Sequence, residues 1–365
     1  MSLKEVSKIA VIGAGNVGKA MAAHLTIEGY EVNLFNRTKE HILPLRKDNK
    51  IRICGLIEGI PEIKRITSDI KKAVEDVDLI MVTTPASGHI SLANILGPHL
   101  CKDQLIVLNP GRTLGSLEFY NVIKKYKKNN IVSEAQTILY TTRYCDMNAE
   151  VFAIKNKVSL ATFPACQTEE VLEVLKPIYP QFVIARDILE TGFNNVGAIL
   201  HPTPTILNIG GIENNKTPFK YYYDGITPTI AQFLEAMDHE RVELAKSWGY
   251  PVVSVKGWLY DVYGSRGRNL YDTLQNTDAY RMIDAPEKVD HRYIFEDIPT
   301  GLVPLSSLGE KIKKHTPNIN AIIELASRIT NTNFRQCGRT LENCGVSGMN
   351  MDELKNFIQN GDEFS

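Results

Sequence analysis

The sequence predicts an N-terminal α/β domain built on a doubly wound, mainly parallel sheet, followed by an all-α C-terminal domain. The chain has 365 residues, which is too long for one ordinary core and suits two domains. Short β-branched runs alternate with helix-like segments as far as residue 188, and strand-like runs are rare after it. We therefore predict one domain over residues 1–188 and a second over residues 189–365.

The strands of the first domain are predicted from short apolar runs, and its helices from segments with helical spacing between them. The leading strands are Lys8–Ile12, Glu31–Phe35, Leu79–Thr83 and Leu105–Leu108. The crossover helices are Asn16–Glu28, Asp69–Glu75, Ile90–Leu100 and Ser116–Lys127. The sheet is expected to continue through Ile131–Leu139, Val151–Ile154 and Val158–Thr162 and to close with Gln181–Ala185.

The second domain is predicted to be helical throughout. Its helical patterns cover Ile230–Trp248, Gln275–Ile283 and Ala321–Thr330. No internal repeat or low-complexity tract appears along the chain.

The composition argues against two classes of partner. Lys and Arg number 41 and Asp and Glu number 42, so with a net charge of −1 no global field attracts nucleic acid. No apolar run approaches the roughly 18 residues that a membrane span needs, and the N-terminal run is too short for a signal peptide. The six cysteines lack the spacing of a disulfide framework or a zinc site, which predicts reduced thiols, no metal and a cytoplasmic location.

The strongest local signal is a G-x-G-x-x-G pattern that directly follows an apolar strand and opens a helix. The residues assigned to it are Gly13, Gly15, Asn16, Val17 and Gly18. In this context the pattern is the dinucleotide fingerprint of a Rossmann-type domain. Gly13 permits the tight turn, Gly15 lets the backbone approach the pyrophosphate, and Gly18 lets helix and strand pack closely. The N-terminus of the helix offers N–H groups to the phosphates.

The end of the second strand decides between the two nicotinamide cofactors. An NAD site normally carries Asp or Glu there, whereas this chain has Asn36, Arg37 and Thr38. No carboxylate repels a 2′-phosphate, Arg37 can pair with one, and Asn36 and Thr38 can donate hydrogen bonds to it. We therefore predict a preference for NADP(H). The alternative is that Arg37 stacks on the adenine and that NAD(H) is used as well.

Two later turns are assigned to the same cleft because ligands bind outside the carboxyl ends of parallel strands. Thr84 and Pro85 follow the predicted strand Leu79–Thr83, and the turn Asn109–Arg112 follows the predicted strand Leu105–Leu108. Each segment also fits an ordinary turn.

Candidate acid–base groups lie in the second domain. His201 ends an apolar helical run and precedes two prolines, which places it at a rigid break. Farther along, Arg292 precedes an acidic pair that ends in Asp297. A carboxylate that orients an imidazole is the usual arrangement for a general base, and an arginine can clamp a substrate carboxylate. His239 and Glu243 have the spacing of a metal pair but lack a third ligand, so no metal site is predicted.

Two motifs stand in order in the second domain, namely Asn194…His201-Pro202…Asn208 and Arg292…Asp297-Ile298-Pro299. Together with the glycine-rich nucleotide fold, they resemble the octopine/nopaline (opine) dehydrogenase family over nearly the whole chain. The resemblance implies that His201 and Asp297 form the catalytic pair and that Arg292 binds the keto-acid carboxylate. It implies substrate contacts for Asn194 and Asn208 as well.

The resemblance also implies an activity and its partners. That activity is the NAD(P)H-dependent condensation of a 2-keto acid, such as pyruvate, with the amino group of an amino acid, and the reverse oxidation. By a looser match, Glu134 is expected to line the amino-acid pocket. The identities of both substrates stay open, and a homodimer is one assembly that the sequence allows.

Two rival functions stay open at this point. Ketopantoate reductase and glycerol-3-phosphate dehydrogenase share the architecture but use a lysine on the first helix of the helical domain. The corresponding stretch, Phe193–Leu200, contains no lysine. A non-catalytic NADP(H)-binding sensor would keep the glycine pattern but would have no reason to keep His201, Arg292 and Asp297 together.

Overall fold

The computed structural model describes residues 4–145, 148–214 and 218–364, and the chain divides into two compact units. Unit 1 contains Met1–Thr191 together with Asp352–Ser365, and unit 2 contains Gly192–Met351. The division therefore falls after residue 191 rather than after residue 188.

The C-terminal segment belongs to unit 1, whereas the sequence prediction placed it in the helical domain. The ring of Phe357 packs against that of Phe163, with centroids 5.1 Å apart. The Asp362 carboxylate accepts a hydrogen bond from the Tyr120 hydroxyl at 2.7 Å and pairs with the Lys124 ammonium at 2.7 Å. These contacts join positions far apart in the sequence, so a boundary inferred along the chain misses the return of the C-terminus.

Unit 1 is built on two sheets. The strands are β1 (Lys8–Ile12), β2 (Glu31–Phe35), β3 (Ile53–Gly55), β4 (Arg65–Thr67), β5 (Leu79–Val82), β6 (Leu105–Leu108), β7 (Val132–Ala135), β8 (Tyr140–Cys145), β9 (Asn148–Ile154), β10 (Val158–Phe163) and β11 (Phe182–Ile184). Eight of them form the main sheet in the order β11-β10-β7-β6-β5-β1-β2-β4. All of its neighbours are parallel except β7 and β10, so the predicted doubly wound, mainly parallel sheet is confirmed.

The second sheet corrects one prediction. The run Val151–Ile154 does not continue the main sheet, because it belongs to β9 in a separate sheet of order β3-β9-β8. Strand β9 pairs antiparallel with β8 on one side and parallel with β3 on the other, so both of its edges are occupied. The short strands β3 and β4 were not predicted, since three residues carry little periodicity.

The helices of unit 1 connect the parallel strands. They are α1 (Asn16–Ile27), α2 (Ile70–Val74), α3 (His89–Leu96), α4 (Gly115–Lys124), α5 (Thr168–Leu175) and α6 (Ile188–Phe193), the last of which ends in unit 2. The four predicted crossover helices are therefore present, with ends shifted by a few residues. Asp69 caps α2 because its carboxylate accepts hydrogen bonds from the backbone N–H groups of Lys71 and Lys72.

Unit 2 is helical, as predicted. Its helices are α7 (Gly197–Leu200), α8 (Pro202–Leu207), α9 (Ile209–Asn214), α10 (Pro228–Trp248), α11 (Val255–Tyr263), α12 (Leu270–Gln275), α13 (Arg292–Phe295), α14 (Val303–Lys311), α15 (Pro317–Thr330) and α16 (Phe334–Cys337). Helix α17 (Met351–Asn360) then leads back into unit 1. Among all helices in the described part of the chain, none combines the length and the hydropathy needed to cross a membrane.

The prediction of a helix over Gln275–Ile283 is wrong. Helix α12 ends at Gln275, and only a short 3-10 turn, Asp278–Tyr280, follows it. The helix begins earlier because the Asn269 side chain accepts a hydrogen bond from the Asp272 N–H at 2.9 Å and so caps its N-terminus. The helix therefore covers Leu270–Gln275 and ends where the predicted helix was expected to begin.

Candidate active site

The glycine turn of unit 1 excludes side chains at two positions and leaves its backbone open at a third. Gly13 has a φ of +111°, and a Cβ on Gly18 would lie 1.7 Å from the Gly13 carbonyl oxygen, so neither position accepts a side chain. A Cβ on Gly15, in contrast, would meet no atom within 4 Å. Gly15 therefore presents exposed backbone directly before α1, and Asn16 and Val17 form the first turn of that helix.

Asn36 joins the end of β2 to this turn. Its side-chain oxygen accepts a hydrogen bond from the Ala14 N–H at 3.1 Å, and its side-chain nitrogen donates to the Thr38 carbonyl at 3.0 Å. Asn36 is thus engaged within the protein, where the sequence predicted a hydrogen bond to a 2′-phosphate. Arg37 and Thr38 are exposed, and the Arg37 guanidinium approaches the Ser91 hydroxyl at 3.5 Å.

The turn after β5 completes the nucleotide face of the sheet. The Thr83 hydroxyl donates to the carbonyls of Ile12 and Gly13, at 3.1 and 3.2 Å, which fixes the glycine turn against β5. The hydroxyl oxygen of Thr84 is buried and has no hydrogen-bond partner among the residues described, and Pro85 is exposed. The predicted cofactor residues of β1, β2 and β5 therefore lie at the carboxyl ends of three adjacent parallel strands.

Glu134 is buried within unit 1. Its side chain is 0% exposed, and one carboxylate oxygen accepts hydrogen bonds from the N–H and the hydroxyl of Ser116, both at 2.8 Å. The other oxygen accepts from the Thr191 hydroxyl at 2.6 Å. Because Ser116 lies in the first turn of α4, the carboxylate caps the positive end of that helix. The predicted role of Glu134 in an amino-acid pocket stays a prediction.

In unit 2, the structure brings His201 and Asp297 together. Nδ1 of His201 lies 2.9 Å from Oδ2 of Asp297; the carboxylate is 0% exposed and the imidazole 20%. His201 stands between α7 and α8, where Pro202 begins the second helix. Asp297 precedes a π-helical turn, Ile298–Leu302, that packs closely on α7, since a Cβ on Gly301 would lie 2.6 Å from the Ala198 Cβ. This close approach carries the carboxylate to the imidazole.

Aromatic rings fix the imidazole on a second side. Tyr293 stacks on His201, with ring centroids 4.4 Å apart and an interplanar angle of 16°. His291 stands edge-on to Tyr293 at 4.5 Å, and burial, followed by the neighbouring Arg292 charge, lowers the pKa of its imidazole. The Tyr221 ring lies 5.0 Å from Tyr293. No sequence motif predicts these contacts, although Tyr293 directly follows Arg292.

The backbone of His201 is held as firmly as its ring. Its carbonyl accepts a hydrogen bond from the Thr205 hydroxyl at 2.7 Å and another from the Tyr221 hydroxyl. Burial raises the pKa of the Tyr221 hydroxyl well above its ordinary value, so this group stays a neutral donor. Tyr221 comes from the tyrosine-rich stretch 221–223, whose composition was the one signal that could have identified it.

Arg292 begins α13 and lies near the same pair in sequence. Its Nε atom is 3.0 Å from the Glu296 carboxylate, and its side chain is 44% exposed, so part of the guanidinium faces solvent. Glu296 is buried and directly precedes Asp297. The ion pair therefore orients the guanidinium without covering it.

The two predicted asparagines flank the histidine in sequence, Asn194 before it and Asn208 after it. The Asn208 side-chain nitrogen donates to the carbonyls of Pro204 and Gly225, both at 2.8 Å, and so joins α8 to the segment after the tyrosines. Asn194 is half-buried at the start of the helical unit. Direct substrate contacts for both residues stay predictions.

A Rossmann-type nucleotide turn and a buried histidine–aspartate pair in a helical unit define a nicotinamide-dependent oxidoreductase. The profile of the NAD binding domain of 6-phosphogluconate dehydrogenase matches residues 8–110, and that of the NAD/NADP octopine/nopaline dehydrogenase, alpha-helical domain, matches residues 184–330. The chain is 36% identical over 358 residues to the opine dehydrogenase of Arthrobacter sp. (strain 1C), an alignment that covers 97% of this chain and 99% of that protein. The chain therefore belongs to the opine dehydrogenase family, which confirms the resemblance.

Solved structures share the fold along almost the full length. An octopine dehydrogenase in complex with NADH and agmatine matches with a TM-score of 0.78 at 18% identity, covering 95% of this chain and 97% of that one. A yersinopine dehydrogenase with NADP+ bound matches with a TM-score of 0.76 at 13% identity, covering 97% and 98%. The chain is thus an NAD(P)-dependent oxidoreductase that acts on CH–NH bonds.

Proposed function

We propose that this enzyme catalyses the reversible, NAD(P)H-dependent condensation of a 2-keto acid, such as pyruvate, with the amino group of an amino acid. The observation that carries the proposal is the His201–Asp297 pair, with the half-exposed Arg292 on the same short segment as the aspartate. The amino group and the keto carbonyl form an imine with loss of water, and reduction of its carbon gives a secondary amine. The nicotinamide supplies the hydride when it is bound.

His201 is the group that exchanges a proton with the reacting nitrogen or oxygen. Asp297 holds Nδ1, so Nε2 is the ring nitrogen that we assign to this exchange. The buried carboxylate fixes the tautomer of the neutral imidazole and stabilises the imidazolium that forms when a proton arrives. Tyr293 and the hydrogen bonds to the His201 carbonyl hold the ring in one orientation.

Arg292 is assigned to the carboxylate of the keto acid. A guanidinium binds a carboxylate through two parallel hydrogen bonds, which orients as well as attracts it. Nε of Arg292 is already held by Glu296, so the exposed part of the fork is the part available to substrate. Correct placement of the acceptor carbon can by itself lower the barrier by several kcal/mol.

The cofactor preference is the finer part of the proposal. Arg37 is exposed at the end of β2, and its sequence neighbours Asn36 and Thr38 are uncharged, which supports NADP(H) over NAD(H). Cys54, Cys101, Cys166, Cys337 and Cys344 are free thiols, which supports a reducing compartment and hence the cytoplasm.

The test is an assay of NADPH and NADH oxidation with pyruvate and a panel of amino acids, set against the keto acid alone. We expect oxidation to require both substrates, and mass spectrometry to find the secondary-amine dicarboxylate. Oxidation with the keto acid alone, at the same rate, would identify a simple keto-acid reductase and overturn the proposal.

A further inference from the structure

The short helix that carries Arg292 and Tyr293 is capped by a histidine. His291 is the N-cap residue of α13, and its Nδ1 atom accepts a hydrogen bond from the Tyr293 N–H at 3.3 Å. Its carbonyl accepts hydrogen bonds from the N–H groups of Ile294 and Phe295, at 3.0 and 3.1 Å. His291 therefore binds three N–H groups at the start of this helix, which would otherwise lack an acceptor within it.

The same imidazole contacts the ring that stacks on the catalytic histidine. His291 stands edge-on to Tyr293, with centroids 4.5 Å apart and an interplanar angle of 85°. Tyr293 in turn stacks on His201 at 4.4 Å. A backbone hydrogen bond and a ring contact with His291 thus both hold Tyr293. A change in His291 therefore reaches the His201 ring through a single intervening side chain.

The guanidinium of Arg292 depends on the same helical turn. Arg292 is the first residue of α13, and its Nε atom lies 3.0 Å from the carboxylate of Glu296, four residues farther along. The Glu296 N–H donates to the Arg292 carbonyl at 2.9 Å, so backbone and side chain bridge the same turn. Side chains four residues apart meet because the turn between them is helical. The cap at His291 therefore supports the orientation of Arg292 as well.

A histidine differs from the common N-cap residues because it can lose its acceptor. Asp, Asn, Ser and Thr are preferred at this position and cap through a side-chain oxygen. A neutral imidazole accepts at one ring nitrogen and donates from the other, whereas both nitrogens of an imidazolium donate. The hydrogen bond from the Tyr293 N–H therefore requires a neutral His291 with its proton on Nε2. Protonation of Nδ1 would turn one N–H towards another and break the cap.

The titratable and charged groups that act on His291 come from its own segment and from the catalytic pair. Burial has the largest effect and lowers the pKa of its imidazole, and the positive charges of Arg292 and of a protonated His201 lower it further. Asp297 and Asp290 act in the opposite direction. Because the pKa lies below its ordinary value of 6.5, the cap is intact near neutral pH and is lost at acidic pH.

We propose that His291 is a positioning residue whose neutral imidazole holds Tyr293 and Arg292 in place, and that its protonation releases them and lowers turnover at acidic pH. The assignment rests on the proposed function, in which His201 exchanges the proton and Arg292 binds the keto acid. His291 acts through these residues and needs no contact with substrate. The site therefore responds to pH through a second histidine besides the one that exchanges the proton.

The kinetic test measures NADPH oxidation with pyruvate and the amino donor at about pH 8 and about pH 5. His291→Ala removes the cap, His291→Asn supplies a cap oxygen that does not titrate, and His239→Asn, at an exposed histidine of α10, is the matched control. At pH 8 we expect His291→Ala to lower kcat/KM for pyruvate by about threefold to thirtyfold and His291→Asn to restore it.

The acidic measurement isolates the effect of protonation. The ratio of each variant to wild type removes the effect of pH on the substrates themselves. We expect this ratio to rise by about threefold or more for His291→Asn between pH 8 and pH 5, and to stay constant for His239→Asn. A constant ratio for His291→Asn, wild-type activity of His291→Ala at pH 8, or equal losses in both His291 variants at pH 8 would each overturn the proposal. Thermal melting verifies that the variants are folded at both pH values.

A spectroscopic measurement tests the cap without any turnover. In protein with isotope-labelled histidine, the magnetic resonance signals that disappear in His291→Asn belong to His291, and the nitrogen shifts report its tautomer. We expect the neutral ring to carry its proton on Nε2 and to titrate below its ordinary pKa of 6.5. A proton on Nδ1 would contradict the cap. The Nε2 tautomer in a protein without amino-acid-dependent activity would confirm the cap and overturn its role in the proposed function.

Discussion

Nδ1 of His201 and Oδ2 of Asp297 lie 2.9 Å apart, and the carboxylate of this pair has no solvent exposure. A carboxylate taken fully out of water is stable only with a partner, and removing that partner from such a site costs several kcal/mol. In the proposed function the imidazole is therefore both the proton carrier and the hydrogen-bond partner of a buried carboxylate. Substitutions of His201 and of Asp297 should therefore both lower kcat, each for a different physical reason.

Removing the imidazole should stop the chemistry while sparing the cofactor. We expect His201→Ala to lower kcat by about 10²–10⁴, the usual contribution of a general acid–base group. Because the nucleotide turn belongs to unit 1, the dissociation constant for NADP(H), measured by fluorescence titration, should not change. A variant that keeps a tenth or more of wild-type turnover would remove His201 from this role.

Changing the aspartate should give a comparable loss for another reason. Asp297→Asn keeps the shape of the side chain but presents an amide that can donate to Nδ1, which favours the wrong tautomer of His201. We expect kcat to fall by about 10²–10⁴. The double variant His201→Ala/Asp297→Asn should be no slower than the slower single variant, since the two residues act as a unit. Losses that multiply would show that they act independently.

The sequence predicted the elements with a strong local pattern and missed those set by distant contacts. Strands β1, β2 and β6 have the predicted bounds because each is a compact apolar run that the sheet buries. Strand β9 carries a similar run, yet it pairs with β8 and β3, and nothing in its own residues states which sheet it joins. Helix α17 was not predicted, and the return of the C-terminal segment to unit 1 depends on distant contacts with Phe163 and Tyr120.

The candidate site likewise contains residues that a sequence motif predicts and contacts that only the folded chain shows. His201, Arg292 and Asp297 were identifiable because they stand in motifs with a fixed order. The stacking of Tyr293 on His201 and the internal hydrogen bonds of Asn36 depend on backbone paths that no motif specifies.

The cofactor preference can be tested at Arg37. A hydrogen bond to a charged group is worth about 1.5–3 kcal/mol, so Arg37→Gln should lower kcat/KM for NADPH by about 10- to 100-fold. The value for NADH should change little, because NADH has no 2′-phosphate to lose. Arg46→Gln, at another exposed arginine of unit 1, is the control. Equal effects on both cofactors would show that Arg37 contacts the adenine instead.

The aromatic stack should also be measurable. Tyr293→Leu removes the ring that lies 4.4 Å from His201, and an aromatic pair contributes about 0.5–1.5 kcal/mol beyond its buried area. We expect a decrease in kcat of about threefold to tenfold, with the cofactor KM unchanged and activity retained in Tyr293→Phe. Tyr260→Leu, at an exposed tyrosine of α11, should match the wild type. Loss of activity in Tyr293→Phe would assign the role to the hydroxyl group and not to the stack.

The charge on Lys155 should destabilise the ligand-free protein in a defined pH range. Burial and Arg112 lower the pKa of Lys155 from 10.5 to about 8 in the folded state. Protonation of Lys155 is therefore more favourable in the unfolded chain than in the folded chain, and the protonated form favours unfolding. The resulting decrease in the free energy of unfolding is complete below pH 8 and amounts to at most about 3 kcal/mol. It disappears as the pH rises through 10.5.

Lys155→Met should therefore raise the free energy of unfolding, measured by urea denaturation, at pH 7, and the difference from wild type should shrink between pH 8 and 10. Lys157→Met has no such pH-dependent difference because its side chain is exposed. A difference between Lys155→Met and wild type that is constant with pH would show that Lys155 keeps its ordinary pKa in the folded protein.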